Sequence, residues 1–143
     1  MKEHRLAVIW EPSQEETEAI RHGLTQFGID AIGGVPPKTL AVVMKSNQGG
    51  MIGGATGQAI LSHFYLQQLW IDATSRGQGY GSRILQNVEQ AAGEFGCESV
   101  TLDTMNPKSM PFYERHGYKA IGEIGEFIPG FNRVFYKKRL TIR

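Results

Sequence analysis

The chain has 143 residues, 41% of them hydrophobic, and its 15 basic and 14 acidic side chains leave a formal net charge of +1. This length predicts one domain over residues 1–143, with a core large enough to fold without disulfides or bound metals. Because the charge is near zero, we expect neither nucleic acid nor a membrane surface as a partner. No segment has the pattern of a signal peptide or a membrane span, which predicts the cytoplasm as the location.

The first 37 residues predict a strand, a helix and a loop. Leu6–Trp10 is an apolar run that predicts a strand. Ser13 follows a break at Pro12 and can cap a helix. Apolar residues then recur near helical spacing up to Gly28, which predicts the end of the helix; they are Ala19, Ile20, Leu24 and Phe27.

Three strands are predicted next. Thr39–Met44 is β-branched and apolar, and the segment Asn47–Gly50 predicts a hairpin turn. Met51–Leu61 then predicts a glycine-rich strand, and His63–Ile71 predicts a strand rich in aromatic residues.

The clearest helix is predicted over Ser82–Phe95, with Gly96 as its stop. Its apolar stripe consists of Ile84, Leu85, Val88, Ala91, Ala92 and Phe95. The only cysteine, Cys97, follows this helix, and we interpret it as a small buried apolar residue rather than a nucleophile. Ser99–Asp103 predicts the next strand.

The last third predicts a short helix and two closing strands. The helix begins near Ser109 to Pro111 and ends near His116, before Gly117. The strands are Tyr118–Ile124 and Arg133–Leu140, around a loop containing Pro129-Gly130. The order of all these elements predicts a mixed α/β fold of the α+β type, with about seven mostly antiparallel strands and helices on both faces of the sheet.

A glycine-rich turn, Arg76-Gly77-Gln78-Gly79-Tyr80-Gly81, lies between an apolar strand and the amphipathic helix. Its glycines let the backbone approach a ligand, and the N–H groups that open the helix attract phosphate oxygens. Arg76 and Arg83 can add positive charge. The sequence has no Gly-Lys pair for a Walker A loop, and a dinucleotide fingerprint fails in both registers, at Ser82 and at Ile84.

This turn resembles the signature of the GNAT acetyltransferases, in which Arg or Gln is followed by two residues, Gly, any residue, and Gly or Ala. Arg76, Gly79 and Gly81 occupy those positions. A second resemblance follows about 25 residues later, in the run from Asn106 to Tyr118. Asn106, Phe112, Tyr113, Glu114, Gly117 and Tyr118 fit the family's next motif, whereas Ser109 replaces an alanine and Pro107 and Pro111 are less usual.

The resemblance implies an acetyl-CoA-dependent N-acetyltransferase without a metal, in which a central strand pair splays to admit the pantetheine arm. It implies Tyr113 as the catalytic acid that protonates the leaving thiolate. It also implies cofactor contacts from the end of one strand, from the glycine-rich turn and from the second motif: Leu69, Trp70, Ile71, Arg76, Gly77, Gln78, Gly79, Tyr80, Gly81, Ser82 and Asn106. The acceptor is expected to be a primary amine of a small molecule or peptide.

Several points stay open at this level. His63, or a water chain ending at Asp72 or Asp103, could act as the base, and a structural role for each is the alternative. The segment Glu126–Phe131 is expected to contact the acceptor, with Glu123 or Glu126 orienting its cation; packing in the core or in a homodimer is the alternative. A coenzyme A-binding sensor without turnover is the competing function.

Overall fold

The computed structural model describes residues 3–141, and the chain forms two compact units that divide between Pro36 and Pro37. The first unit contains helix α1 (Gln14–Ala31). Its N-terminus is a capping box: the Glu16 N–H donates to Ser13 Oγ at 3.2 Å, and the Ser13 N–H donates to Glu16 Oε1 at 3.0 Å. The backbone bond from Ser13, and then the side-chain bond, lower the pKa of Glu16. The predicted cap is confirmed.

Two predictions in the first unit are wrong. Leu6–Trp10 forms no strand, because a strand exists only when its backbone groups find a ladder partner and no described strand pairs with this run. Helix α1 continues past Gly28, since an interior glycine costs only about 1 kcal/mol. The chain leaves the helix at Gly33 and Gly34, whose φ values are 90° and 84° and whose N–H groups bond back to Asp30 and Ile29.

The second unit is built on one six-stranded sheet. Its strands are β1 (Lys38–Lys45), β2 (Met51–Ile60), β3 (His63–Ile71), β4 (Ser99–Thr104), β5 (Lys119–Ile128) and β6 (Phe131–Arg139). Their spatial order is β1-β2-β3-β4-β6-β5, and every adjacent pair is antiparallel except β3 and β4. The described residues therefore contain one strand fewer than predicted, and the missing strand is Leu6–Trp10.

Helices α2 (Tyr80–Phe95) and α3 (Met110–Arg115) connect β3 to β4 and β4 to β5. Helix α2 buries the predicted stripe, with Ile84, Leu85, Val88 and Ala92 in the core. Phe95, also predicted for the stripe, is half exposed. Cys97 is completely buried and burial raises the pKa of its thiol, as expected for a small core residue.

Strand β2 contains glycine at positions where neighbouring atoms leave no room for a Cβ atom. A Cβ atom on Gly57 would lie 2.4 Å from the Tyr65 carbonyl oxygen and 2.6 Å from the Phe64 ring. Phe64 is itself 1% exposed, so the ring has nowhere to move. The glycines of this strand thus permit close packing around β3, the strand that carries the candidate site.

The closing strands are longer than predicted. Strand β5 runs to Ile128 and pairs it with Phe131 at the start of β6, so only Pro129 and Gly130 form the turn. The predicted loop is therefore mostly a hairpin, because the β-forming pair Phe127-Ile128 extends the ladder up to the glycine, which has φ 84°. Over residues 3–141, no helix is both long enough and apolar enough to span a bilayer.

Candidate active site

Strand β3 is irregular at its centre. Leu66 pairs with Gly57 of β2, but Gln68 pairs with Thr56, which leaves Gln67 as an extra residue in a β-bulge. On its other side, β3 pairs with β4 over three residue pairs only and separates after Tyr65. The bulge and the end of pairing coincide, and they produce the splayed central strand pair expected from the sequence.

The separated strands border a cavity of about 830 Å³, which we call the central cavity. It is lined by residues of β1 to β4, by Asn106 and Ser109 from the segment before α3, and by Tyr113 from α3 itself. Most of the lining is apolar or uncharged. Asp103 supplies the one carboxylate among the described residues that line it.

Tyr113 lies at the boundary between the hydrophobic core and the central cavity. It is 8% exposed, and its ring packs edge-on against Tyr118 with centroids 5.8 Å apart. The same side chain lines the cavity. Burial raises the pKa of Tyr113, so the phenol keeps its proton at neutral pH. The same residue therefore both packs in the core and faces the central cavity.

Three side chains meet at the point where β3 and β4 separate. The Tyr65 hydroxyl donates to Asp103 Oδ2 at 2.8 Å, and the Arg133 guanidinium donates to Asp103 Oδ1, with Nε at 2.9 Å. The hydrogen bond to Asp103 is the main reason that the pKa of Tyr65 is raised. We call these three residues the carboxylate cluster. Nothing in the sequence predicts that Arg133 lies here, because β6 pairs with β4 only in the folded sheet.

The His63 ring forms hydrogen bonds within the sheet. Its two ring nitrogens lie 2.8 Å from the hydroxyls of Ser99 and Thr101, on the adjacent strand β4. Burial and then the charge of Lys137 lower the pKa of His63. The residue does not line the central cavity, and the arrangement favours the structural alternative over the role of base.

A second, smaller cavity of about 300 Å³ surrounds the glycine-rich turn, and we call it the anion cavity. Gly77 and Gly79 adopt φ values of 76° and 81°, which side-chain-bearing residues rarely adopt. Gly79 is the N-cap of α2, and no side chain caps the helix. The first backbone bond here runs from the Arg83 N–H to the Gly79 carbonyl at 3.2 Å, so the three preceding N–H groups have no acceptor within the helix.

Two arginines line the anion cavity, and only one was predicted. Arg76 lines it while its Nε donates to the Ile71 carbonyl at 3.0 Å, which ties the turn to the end of β3. Arg115 lines it from α3 and was missed, because nothing in the sequence shows that the end of α3 lies beside the turn. Arg83, expected to add charge, does not line this cavity. The exposed N–H groups and the two guanidiniums fit an anionic diphosphate.

The other predicted cofactor residues divide between the two cavities. Leu69, Trp70 and Asn106 line the central cavity, whereas Ile71 and the turn residues Gly77, Gly79, Tyr80, Gly81 and Ser82 line the anion cavity. Gln78 lines neither. Asn106 Oδ1 accepts the Lys108 N–H at 3.0 Å, so this residue also shapes the turn before α3. In the described part of the chain, no three His, Cys, Asp or Glu side chains are grouped to hold a metal.

Comparisons with known proteins give one consistent result. The sequence model of the "Acetyltransferase (GNAT) family" matches residues 5–118. The chain is 30% identical to Acetyltransferase Atu2258 of Agrobacterium fabrum over 87% of this chain and 91% of that one. It is 31% identical to Blasticidin-S acetyltransferase of Streptomyces morookaense over 73% and 78%. A crystal structure of an acetyltransferase from Bacillus cereus superposes with a TM-score of 0.78 at 30% identity, covering 94% of this chain and 98% of that one.

Proposed function

The chain belongs to the GNAT acetyltransferase family and is an acetyl-CoA-dependent N-acetyltransferase, and from this premise we propose which residues bind acetyl-CoA and which assist the transfer. The observation that carries the proposal is that Tyr113 and the last residues of β3 border one cavity, while the end of β3 continues into the anion cavity. An extended ligand with an anionic end can therefore contact both sites.

The diphosphate is held in the anion cavity by backbone N–H groups from Gly77 to Ser82, with Arg76 and Arg115 adding charge. An anion is stabilised there by the fixed N–H dipoles of the helix N-terminus and by the nearby guanidinium cations. The pantetheine arm lies in the central cavity along Leu69 and Trp70, whose strand is free of β4 beyond Tyr65. Asn106 borders the same arm. Gln78 lies outside both cavities and contributes through its backbone.

Tyr113 is the acid in this proposal. When the acceptor amine attacks the thioester, the departing thiolate needs a proton, and the Tyr113 phenol can donate one because burial raises its pKa and keeps it protonated. Its ring is held by Tyr118 and Tyr136, so the hydroxyl is positioned before the substrate arrives. Orientation of the two reactants by itself can lower the barrier by an amount on the order of 7–11 kcal/mol in favourable cases.

The acceptor is a primary amine of a small molecule or peptide. One relative is named for blasticidin S, a small molecule, which supports the small-molecule class. The hairpin of β5 and β6 contacts the acceptor through Phe127, whose ring lies 4.9 Å from the Arg133 guanidinium of the carboxylate cluster. The sequence indicates Glu123 as a residue that orients the cation. In the structure the Asn132 amide donates a hydrogen bond to Glu123, which makes it a poorer candidate for that role.

The test has two stages. Isothermal titration should show acetyl-CoA binding with one site, and 3′-phosphoadenosine 5′-diphosphate, which lacks the pantetheine arm, should show that the diphosphate end alone retains most of the affinity. A panel of primary amines is then screened for thiol release, with the acetylated product identified by mass spectrometry. Binding of ATP or NAD in preference to coenzyme A would contradict the assignment of the two cavities.

A further inference from the structure

Within the carboxylate cluster, Asp103 can accept one more hydrogen bond than it receives. A carboxylate has about four acceptor positions. On Asp103, Arg133 fills those of Oδ1 through Nε and Nη2, and Tyr65 fills one on Oδ2. The remaining position belongs to Oδ2 of a residue that lines the central cavity.

We propose that Asp103 is the acceptor subsite of this enzyme: its Oδ2 binds the amine nitrogen of a cationic primary amine and receives the proton that the nitrogen loses on attack. The inference rests on the proposed function, since it assumes that the thioester lies in the central cavity. It adds the group that selects and deprotonates the acceptor.

Three observations support this assignment. Asp103 is the single carboxylate among the described residues of the cavity wall, and Tyr113 borders the same cavity from α3. Its side chain is 12% exposed, so a charged group there is shielded from competing water. Tyr65 and Arg133 hold it from two other strands, β3 and β6, which fixes the direction of the free position. A group arranged in this way is already oriented before the acceptor binds.

The step balances as follows. The bound ammonium first releases one proton to solvent, which leaves a neutral amine at Asp103 Oδ2. Its lone pair then forms a bond to the thioester carbon, and the nitrogen becomes strongly acidic as this bond forms, which lets the carboxylate accept its second proton. The carbon–sulfur bond then breaks, and the sulfur takes the Tyr113 proton. The products are the amide and coenzyme A thiol. Asp103 afterwards releases its proton to water, and Tyr113 regains one.

A matched control exists on the other side of the core. Glu89 accepts the Tyr118 hydroxyl at 2.8 Å and the Lys138 ammonium at 2.8 Å, so it is also a carboxylate held by a tyrosine and a cation. It does not line the central cavity. Glu89→Gln therefore removes an equally paired charge without touching the proposed subsite.

The test uses two coenzyme A thioethers that differ only at their tip. S-(2-aminoethyl)-coenzyme A carries an ammonium two carbons from the sulfur, and S-propyl-coenzyme A carries a methyl group in its place. Both are titrated calorimetrically, and the ratio of their dissociation constants is the readout. We expect the wild type and Glu89→Gln to bind the ammonium ligand about 10- to 100-fold more tightly, in line with a charge-assisted hydrogen bond. Asp103→Asn should reduce the ratio to about one.

The outcomes separate the two proposals. If neither ligand binds the wild type, the coenzyme A site itself is wrong. If both bind but the wild type shows no preference, or if Asp103→Asn keeps the preference, the Asp103 subsite is overturned. Should Asp103→Asn fail to fold, the double variant Asp103→Asn with Arg133→Gln avoids an unpaired arginine and must also lose the preference.

Discussion

Asp103 and Tyr113 border one cavity from different elements, strand β4 and helix α3. Asp103 accepts hydrogen bonds from Tyr65 and Arg133, and Tyr113 carries a phenol whose pKa is raised by burial. An attacking amine must lose a proton and a leaving thiolate must gain one, so a direct transfer needs a group of each kind at the same place.

Replacing Tyr113 by phenylalanine tests the acid directly. The ring stays packed against Tyr118 and Tyr136 while the hydroxyl is lost, so kcat should fall by about 10²–10⁴ with little change in acetyl-CoA affinity. Steady-state thiol release and calorimetry measure the two quantities. Tyr136→Phe, which removes the hydroxyl of a buried residue outside the cavity, should keep the rate; equal rates for wild type and Tyr113→Phe would leave Tyr113 as a packing residue.

Gly79→Ala should weaken coenzyme A binding. Because φ is 81° at this position, an alanine is strained by roughly 1–3 kcal/mol and shifts the N–H groups that open α2. The rise in melting temperature caused by acetyl-CoA should therefore shrink. Gly93→Ala in the last turn of the same helix is the control: its Cβ meets nothing within 4 Å, and the ligand shift should persist. A full shift in Gly79→Ala would argue against the anion cavity.

Phe127→Leu should raise the KM for the acceptor amine about two- to fivefold, because removing a cation–π contact of this kind loosens Arg133 and with it Asp103. The KM for acetyl-CoA should stay nearly constant. The comparison variant is Phe131→Leu, on the same hairpin, because among the described residues the cation–π contacts of Arg133 are with Phe127 and Phe135 and not with Phe131. If both variants change the acceptor KM equally, the hairpin acts through its surface and not through Arg133.

The stability of the enzyme should fall in mild acid partly through His63. Its folded pKa is lowered from 6.5, so below that pH the unfolded chain binds more protons than the folded one. The contribution is complete above pH 6.5 and is lost as the pH falls through the folded value. Urea unfolding at several pH values should show a shallower loss in His63→Gln than in the wild type. His22→Gln, on the exposed surface of α1, should leave the slope unchanged.

Gly57→Ala should destabilise the fold by about 1–3 kcal/mol, the usual cost of overpacking, since its Cβ would lie 2.4 Å from the Tyr65 carbonyl. Chemical denaturation measures this loss. Gly122→Ala on strand β5 has open space around the added methyl group and should change stability little. Equal stabilities of the two variants would show that β2 and β3 can move apart enough to accommodate the added methyl group at little cost.

The sequence by itself determined the elements that carry a local pattern. The stripe of α2, the cap at Ser13 and the strand β3 follow from periodicity and capping chemistry, which act between residues close in the chain. The glycine-rich turn and Tyr113 could be recognised because the motif residues are adjacent in sequence. The same reasoning failed for Leu6–Trp10, where apolar composition predicts a strand but only a ladder partner makes one.

The tertiary structure alone decided which distant side chains meet. The bulge at Gln67 depends on the register between β2 and β3, and register is a property of two strands. Arg133 reaches Asp103 because β6 inserts between β4 and β5, and Arg115 joins the anion cavity because α3 ends beside the turn. Such contacts are set by packing and pairing across 30 or more residues, and no local pattern in the chain encodes them.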